Sequence, residues 1–205
     1  MPLDDYPKEY QLKGNTQVVI RPLQNDDFDR LFAFFQAVPA EDRNYLRHDV
    51  SNPDIIRRWT SRLDLEHVIP LVALVGDEIV GDGTLHVTTH GWMQHVGHIR
   101  LVVCPDFRHL GLGTIITREL VAFAEERGLE KVQAHVIENN VGAVRMFRRL
   151  GFEKVLELKD MVKDQNGFNR NLAIMVNDVD QLSQIMEDWI QNNLIPAYRV
   201  PGAVM

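Results

Sequence analysis

Near the middle of the chain, Gly111 and Gly113 stand one residue apart. They lie between an apolar run, Ile99 to Val103, and a stretch with apolar residues at Leu112, Ile115, Ile116, Leu120, Phe123 and Ala124. The first run stops at Pro105; the second has helical spacing and ends at Gly128. The pattern predicts a strand, a glycine turn and a helix. Glycines let a ligand come close to the main chain, and the first amides of a helix lack internal partners at the positive end of its dipole. Such a turn either cradles a phosphate or merely joins two elements. There is no Gly-Lys-Ser/Thr here and no third glycine at the dinucleotide spacing, which sets aside the two better-known phosphate loops.

Other residues capable of chemistry lie close by. His86, His90, His95 and His98 are near one another, but their spacings match no zinc pattern. His95 and His98 would also point to opposite faces of a regular strand, so no metal is expected. Cys104, beside Pro105 and without a fixed base, is expected to be an inert buried thiol. Arg145, Arg148 and Arg149 are a basic cluster in an acidic chain, suited to a phosphate or to a solvated helix face.

The elements that must position these groups can be read in order. Residues 1–16 read as an irregular arm. Gln17 to Arg21, β-branched at Val18, Val19 and Ile20, reads as a strand. A helix capped by Asn25 or Asp26 carries Phe28, Leu31, Phe32 and Phe35 on one face, a stripe expected in the core. Asn52-Pro53 offers a cap and a first-turn proline to a second helix with Ile55, Ile56, Trp59 and Leu63. Val68 to Val75 and Glu78 to Val87 read as a hairpin turning at Gly76-Asp77, with His95 to Val103 as the next strand. Lys131 to Ile137 is a further strand, after which Asn140 caps a helix that ends at Gly151. Phe152 to Val162 and Asn169 to Val176 form a second hairpin. Asp178 is expected to cap a last helix bearing Val179, Leu182, Ile185, Met186, Trp189 and Ile190 on one face. Hairpins first and strand–helix–strand later predict an α/β fold, a mixed and mostly antiparallel sheet of about seven strands flanked by helices.

With 205 residues, 45% of them hydrophobic and 25% charged, the chain suits one soluble domain with a sizeable core. A formal net charge of −7 argues against nucleic acid or an anionic membrane as partner, and no apolar run is long enough to span a membrane. A single cysteine fits a reducing compartment, so the expected location is cytoplasmic.

Arg108-His109-Leu110-Gly111-Leu112-Gly113, following a strand, resembles motif A of the GCN5-related N-acetyltransferases, Arg/Gln-x-x-Gly-x-Gly/Ala. The run from Asn140 through Ala143 and Phe147 to Gly151-Phe152 is similar to the family's second block, Asn-x-x-Ala-x-x-x-Tyr-x-x-x-Gly-Phe. Residues 17–176 are therefore expected to be the acetyltransferase domain. Residues 177–205 would add a helix and tail, packed on that domain or on a second copy of the chain as a homodimer. Arg43 to Arg47 and Lys163 to Gly167 weakly resemble the acetyltransferase domains of bacterial protein lysine acetyltransferases.

The resemblance implies acetyl transfer from acetyl-CoA to a primary amine by direct attack in a ternary complex. It implies that Leu101, Val102 and Val103 pair with the pantetheine arm, and that Arg108, His109, Leu110, Gly111, Leu112, Gly113 and Thr114 hold the pyrophosphate. Asn140, Ala143, Phe147 and Arg149 would complete the cofactor site. The amine must be neutral to attack, whereas a lysine ammonium has a pKa of about 10.4, so a base is needed within reach. His98 is the first candidate by position, His135 the second and Glu138 the third. The tyrosine with which the family usually protonates the leaving thiolate is Phe147 here, so the thiolate leaves unassisted or another group donates. Protein lysine is the first acceptor to expect and a small-molecule amine the second, the acidic chain suiting a cationic acceptor. Phe147 also keeps an alternative in view, a non-catalytic acyl-CoA-binding or regulatory module.

Overall fold

The computed structural model describes residues 5–164 and 166–193. Eight strands make one sheet: β1 (Lys8–Gln11), β2 (Gln17–Pro22), β3 (Val68–Val75), β4 (Glu78–His86), β5 (Val96–Val103), β6 (Lys131–Ile137), β7 (Glu153–Lys163) and β8 (Asn169–Asp178). Their order across the sheet is β1-β2-β3-β4-β5-β6-β8-β7, and β5–β6 is the one parallel pair among the described residues. The mixed, mostly antiparallel sheet is the expected one, with one strand more. The extra strand is β1, inside the stretch read as an irregular arm. Among the described residues there, Tyr10 and Leu12 are the buried apolar ones, and two residues at a spacing of two are too short a pattern to declare a strand.

Among the described residues six helices flank the sheet: α1 (Phe28–Ala37), α2 (Ala40–Arg43), α3 (Pro53–Ser61), α4 (Leu112–Glu126), α5 (Val141–Arg149) and α6 (Val179–Asn193). Asn52 accepts a hydrogen bond from the Asp54 amide and Asn140 one from the Ala143 amide, the caps expected of both. The residue at the N-cap of α1 is Asp27 rather than Asn25 or Asp26, and it makes no side-chain cap: its buried carboxylate instead takes Arg21 at 2.6 and 2.7 Å and the Gln24 amide at 2.9 Å.

The period-two alternation of the strands builds two cores. On one face Ile69, Leu71, Ala73, Leu85 and Ile99 pack with α4, α5 and α6; on the other, Val72, Leu74 and Ile79 pack with α1 and α3. Gly81 and Gly83 let α4 sit directly on the sheet, for a Cβ on Gly81 would lie 2.9 Å from Ile116 Cδ1. Val179, Leu182 and Met186 of α6 join the first core, so the last helix packs on the domain itself. The side chains of Trp189 and Ile190 lie outside those described. On α4, buried Glu119 accepts hydrogen bonds from Tyr6 (2.6 Å), Lys8 (2.8 Å) and Tyr10 (2.5 Å), which fastens β1 to the helix.

One discontinuity in the sheet sets up the site. β5 pairs with β6 only from Val96 to His98, opposite Lys131 to Gln133; beyond that the two strands part. β4 stays paired with β5 as far as Val103.

Candidate active site

Pro105 starts a single 3-10 turn, and His109 then adopts a φ of +63° and Gly111 one of +98°. These left-handed residues, the second free of a Cβ penalty, curl the chain into the first turn of α4. The first helical hydrogen bond runs from the Ile115 amide to the Gly111 carbonyl, and α4 has no side-chain cap. The amides of Leu112, Gly113 and Thr114 therefore have no acceptor among the described residues and present the positive end of a fifteen-residue helix. Arg108 does not add its amide, which donates to Pro105; its guanidinium instead holds the Val103 carbonyl at 3.0 Å and Asp42 at 2.7 Å. Gly113 is glycine for packing, since a Cβ would meet Met146 Sδ at 3.1 Å and Leu101 Cδ2 at 3.3 Å.

The parting of β5 and β6 frees main-chain groups along one strand edge. The Cys104 amide donates to the Val80 carbonyl of β4. Amides alternate in direction along a strand, so the Leu101 and Val103 amides face away from β4 into the opening. Val102, expected to pair with a ligand through its backbone, is turned toward β4 and offers the opening only its side chain. An added strand could dock against Leu101 and Val103, and it would end at the amides of α4.

A cavity of about 1220 Å³ runs through this opening. His109, Gly111, Gly113, Thr114, Asn140, Ala143, Phe147 and Arg149 all line it, with Arg145 one helical turn before Arg149. The Leu110 and Leu112 side chains do not; Leu112 is buried in the core and Leu110 receives the Lys13 amide on its carbonyl. On the far side of the sheet from α4, the same cavity is lined by Asp82, Thr84 and His86 of β4 and by His98, Arg100 and Val102 of β5.

His98 and His135 meet where the strands part, with ring centroids 4.3 Å apart, and His86 stands 6.2 Å from His98 across the β4–β5 ladder. Burial, then the charges of His135, Arg100, His86 and Arg47, push His98 down to about 3. Burial, Arg100, Arg47 and His48 push His86 down to about 4, and His135 is lowered by burial and by Arg47 and Arg100. All three rings are neutral at pH 7. Asp82 behaves oppositely. Partly open to the cavity but otherwise enclosed, its carboxyl is raised by burial to about 7 against the pull of Arg100. Sequence reasoning missed Asp82. Its signal was a lone carboxylate inside an apolar strand, between Gly81 and Gly83, where neither turn nor surface explains it.

The model of the Acetyltransferase (GNAT) family matches residues 28–152, more than half of the chain. The chain belongs to the GNAT acetyltransferase family. L-amino acid N-acetyltransferase AaaT of Escherichia coli K12 is 24% identical over 140 residues, covering 67% of this chain and 84% of that protein. An uncharacterised N-acetyltransferase of Methanocaldococcus jannaschii is 38% identical over 63 residues, 31% of this chain and 26% of that one, so the match spans about a quarter of that relative. Among solved structures, the GNAT domain of S. lividans PAT shares the fold at 18% identity and a TM-score of 0.67, covering 84% of this chain and 96% of that one. Arabidopsis thaliana NAA60, solved in complex with acetyl-CoA, does so at 17% identity and a TM-score of 0.64, covering 80% and 99%.

Acetyl-CoA is the acyl donor of the GNAT family, and the residues present fit it: free strand amides for an amide-bearing arm, then free helix amides for a diphosphate, with Arg145 and Arg149 at the rim. The third base candidate falls outside the site, and the departure at Phe147 stands. Glu138 does not line the cavity; it pairs with Lys154 at 3.3 Å and accepts from Asn171 at 3.2 Å. Phe147 is 5% exposed and packs edge-on against Phe152 at 5.0 Å, so this position is closed with hydrocarbon and carries no proton. Cys104 does not line the cavity either, and burial raises its thiol above the ordinary value. Among the described residues, the side chains whose ligand atoms converge as a metal site would require are Asp64, Glu66 and His67, all at the surface end of one loop and none of them among the four histidines weighed above.

Proposed function

We propose that this chain is an acetyl-CoA-dependent N-acetyltransferase in which a primary amine attacks the donor directly. The observation that carries the reading is the opening between β5 and β6, edged by the Leu101 and Val103 amides and continuous with the bare N-terminus of α4. Bound acetyl-CoA supplies an activated acyl carbon. The amides of Leu112, Gly113 and Thr114 hold its diphosphate, and the Leu101 amide is placed to donate to the oxygen on which charge develops. Asp82 takes the proton of the attacking amine. A base works best with a pKa near the working pH, and Asp82 at about 7 meets that condition where His98 at about 3 does not. His98 and His135 line the path as neutral groups that can accept or relay a hydrogen bond. With Phe147 unable to donate, the thiol leaves as thiolate, for which its pKa near 8.5 is low enough. Direct attack is favoured over an acyl-enzyme because the single cysteine is outside the cavity and protonated.

The test is to incubate the purified protein with acetyl-CoA and a panel of amines and lysine peptides while following free thiol. Thiol release that depends on an acceptor is the expected result. Tight donor binding with no release for any acceptor would overturn the assignment and leave a binding module.

A further inference from the structure

The chain carries an excess of negative charge, yet its cavity is basic. Among the described residues that line it are nine lysines and arginines against three aspartates, Asp42, Asp64 and Asp82. Asp42 is already taken by Arg108 at 2.7 Å. Half-buried arginines elsewhere are matched in the same way: Arg21 with Asp27 at 2.6 Å and Arg170 with Asp164 at 2.9 Å. Arg47 and Arg100 differ. Among the described residues neither has a carboxylate within 4 Å, and both line the cavity, close enough that each guanidinium disfavours its neighbours' charge. Arg100 alternates with Ile99 and Leu101, which face α4, so its side chain projects to the opposite face with His98 and Val102. Asp82 pulls on Arg100 in return, and two like charges that sense each other in a partly desolvated pocket are stabilised further by an anion that joins them both.

That anion is not the diphosphate, whose amides lie on the α4 face. Asp82 pairs with Val102 and Thr84 with Arg100, so Asp82 and Arg100 are diagonal neighbours on one face of the β4–β5 ladder, a spacing of about 7–8 Å between main chains. An ammonium at Asp82 and a carboxylate at Arg100 and Arg47 are the two ends of a single small molecule. We infer that the acceptor is a free α-amino acid, its carboxylate gripped by Arg47 and Arg100 and its amine presented to Asp82. The inference rests on the acetyl-transfer reading above. A lysine side chain in a protein carries no carboxylate beside its amine and would leave both arginines unmatched.

The test offers the protein acetyl-CoA with each of the standard L-amino acids, its carboxamide and its decarboxylated amine, and follows free thiol. At least one acid is expected to exceed its own amide and amine in kcat/KM by about 10- to 100-fold, the range of a charge-assisted bidentate pair. Arg47→Met and Arg100→Met should each remove that preference, so that acid, amide and amine are then used at comparable rates. Relief of the repulsion should leave the melting temperature unchanged or higher, so lost discrimination is not unfolding. Amides or amines used as well as the acids by the native protein would overturn the inference, as would variants that keep the preference for the acid. Calorimetry of the same compounds into the coenzyme A-loaded protein separates the two readings. Acid bound in preference to amide without thiol release sinks acetyl transfer alone; no preference in either readout sinks the carboxylate clamp.

Discussion

A carboxylate and an imidazole exchange their usual proton affinities in this cavity. Desolvation penalises whichever form is charged, so it raises Asp82 to about 7 and drops His98 to about 3 on the same wall. The choice of base follows from that exchange and can be measured. With Asp82 as base, kcat/KM should rise with pH through an inflection near 7, since only the deprotonated carboxylate accepts a proton. Asp82→Asn should erase the inflection and slow turnover by about 10²- to 10⁴-fold. His98→Asn should preserve the inflection; a profile that instead loses it there would return the role to histidine. The candidate site was partly legible beforehand. His98 and His135 were placed at the parting of the strands by motif position alone. Asp82 was not, because its meaning depends on which residues surround a strand carboxylate, and those come from other segments of the chain.

Elements were legible where a local rule fixes them. Asn52-Pro53 and Asn140 declare helix starts through their own hydrogen bonds, and the glycine turn before α4 needs only neighbouring residues. β1 was invisible because its cause is distant: the Glu119 carboxylate on α4, which burial would raise, is held below the ordinary value by hydrogen bonds from Lys8, Tyr10 and Tyr6. The direction of individual amides was equally hidden, since Leu101 rather than Val102 faces the opening only once the β4–β5 register is known. The seating of α4 is the element-level feature most exposed to test. Ile116 fills the space above Gly81 and Gly83, and a methyl group on Gly83 would collide with its Cγ2. Gly83→Ala should therefore destabilise the fold by about 1–3 kcal/mol in urea titration. Because α4 carries the free amides, the same change should weaken coenzyme A binding; a variant of native stability and affinity would mean that the helix is not held by this contact.

At the scale of the whole molecule, charge is segregated: an acidic exterior encloses a basic cavity assembled from the α2–α3 connection, β4, β5 and α5. No single segment announces it, which is why the net charge of −7 suggested a cationic acceptor and the cavity suggests the reverse. The segregation has a stability signature. His86 and His98 are neutral when folded, with values of about 4 and 3, but take up protons near 6.5 when unfolded. The unfolded chain thus binds more protons between about pH 6.5 and 4, and stability should fall as pH drops through that window. Asp82, raised to about 7, works in the opposite sense with one proton against two. Melting temperatures should accordingly decline below pH 6.5; His86→Asn with His98→Asn should flatten or invert the decline, and Asp82→Asn should steepen it. A native curve flat from pH 7 to 4 would mean that the histidines are solvated. The short β5–β6 ladder carries a last consequence. Among the described residues the β5–β6 ladder is three pairs long, with the Glu130 and Lys131 amides on the His95 carbonyl beside it, so the wedge that admits a substrate opens beside the shortest ladder of the sheet. A strand-like arm lying in it supplies rungs to both banks, which makes the donor a mechanical tie as well as a reagent: the empty protein should breathe along this line, and the loaded one should not.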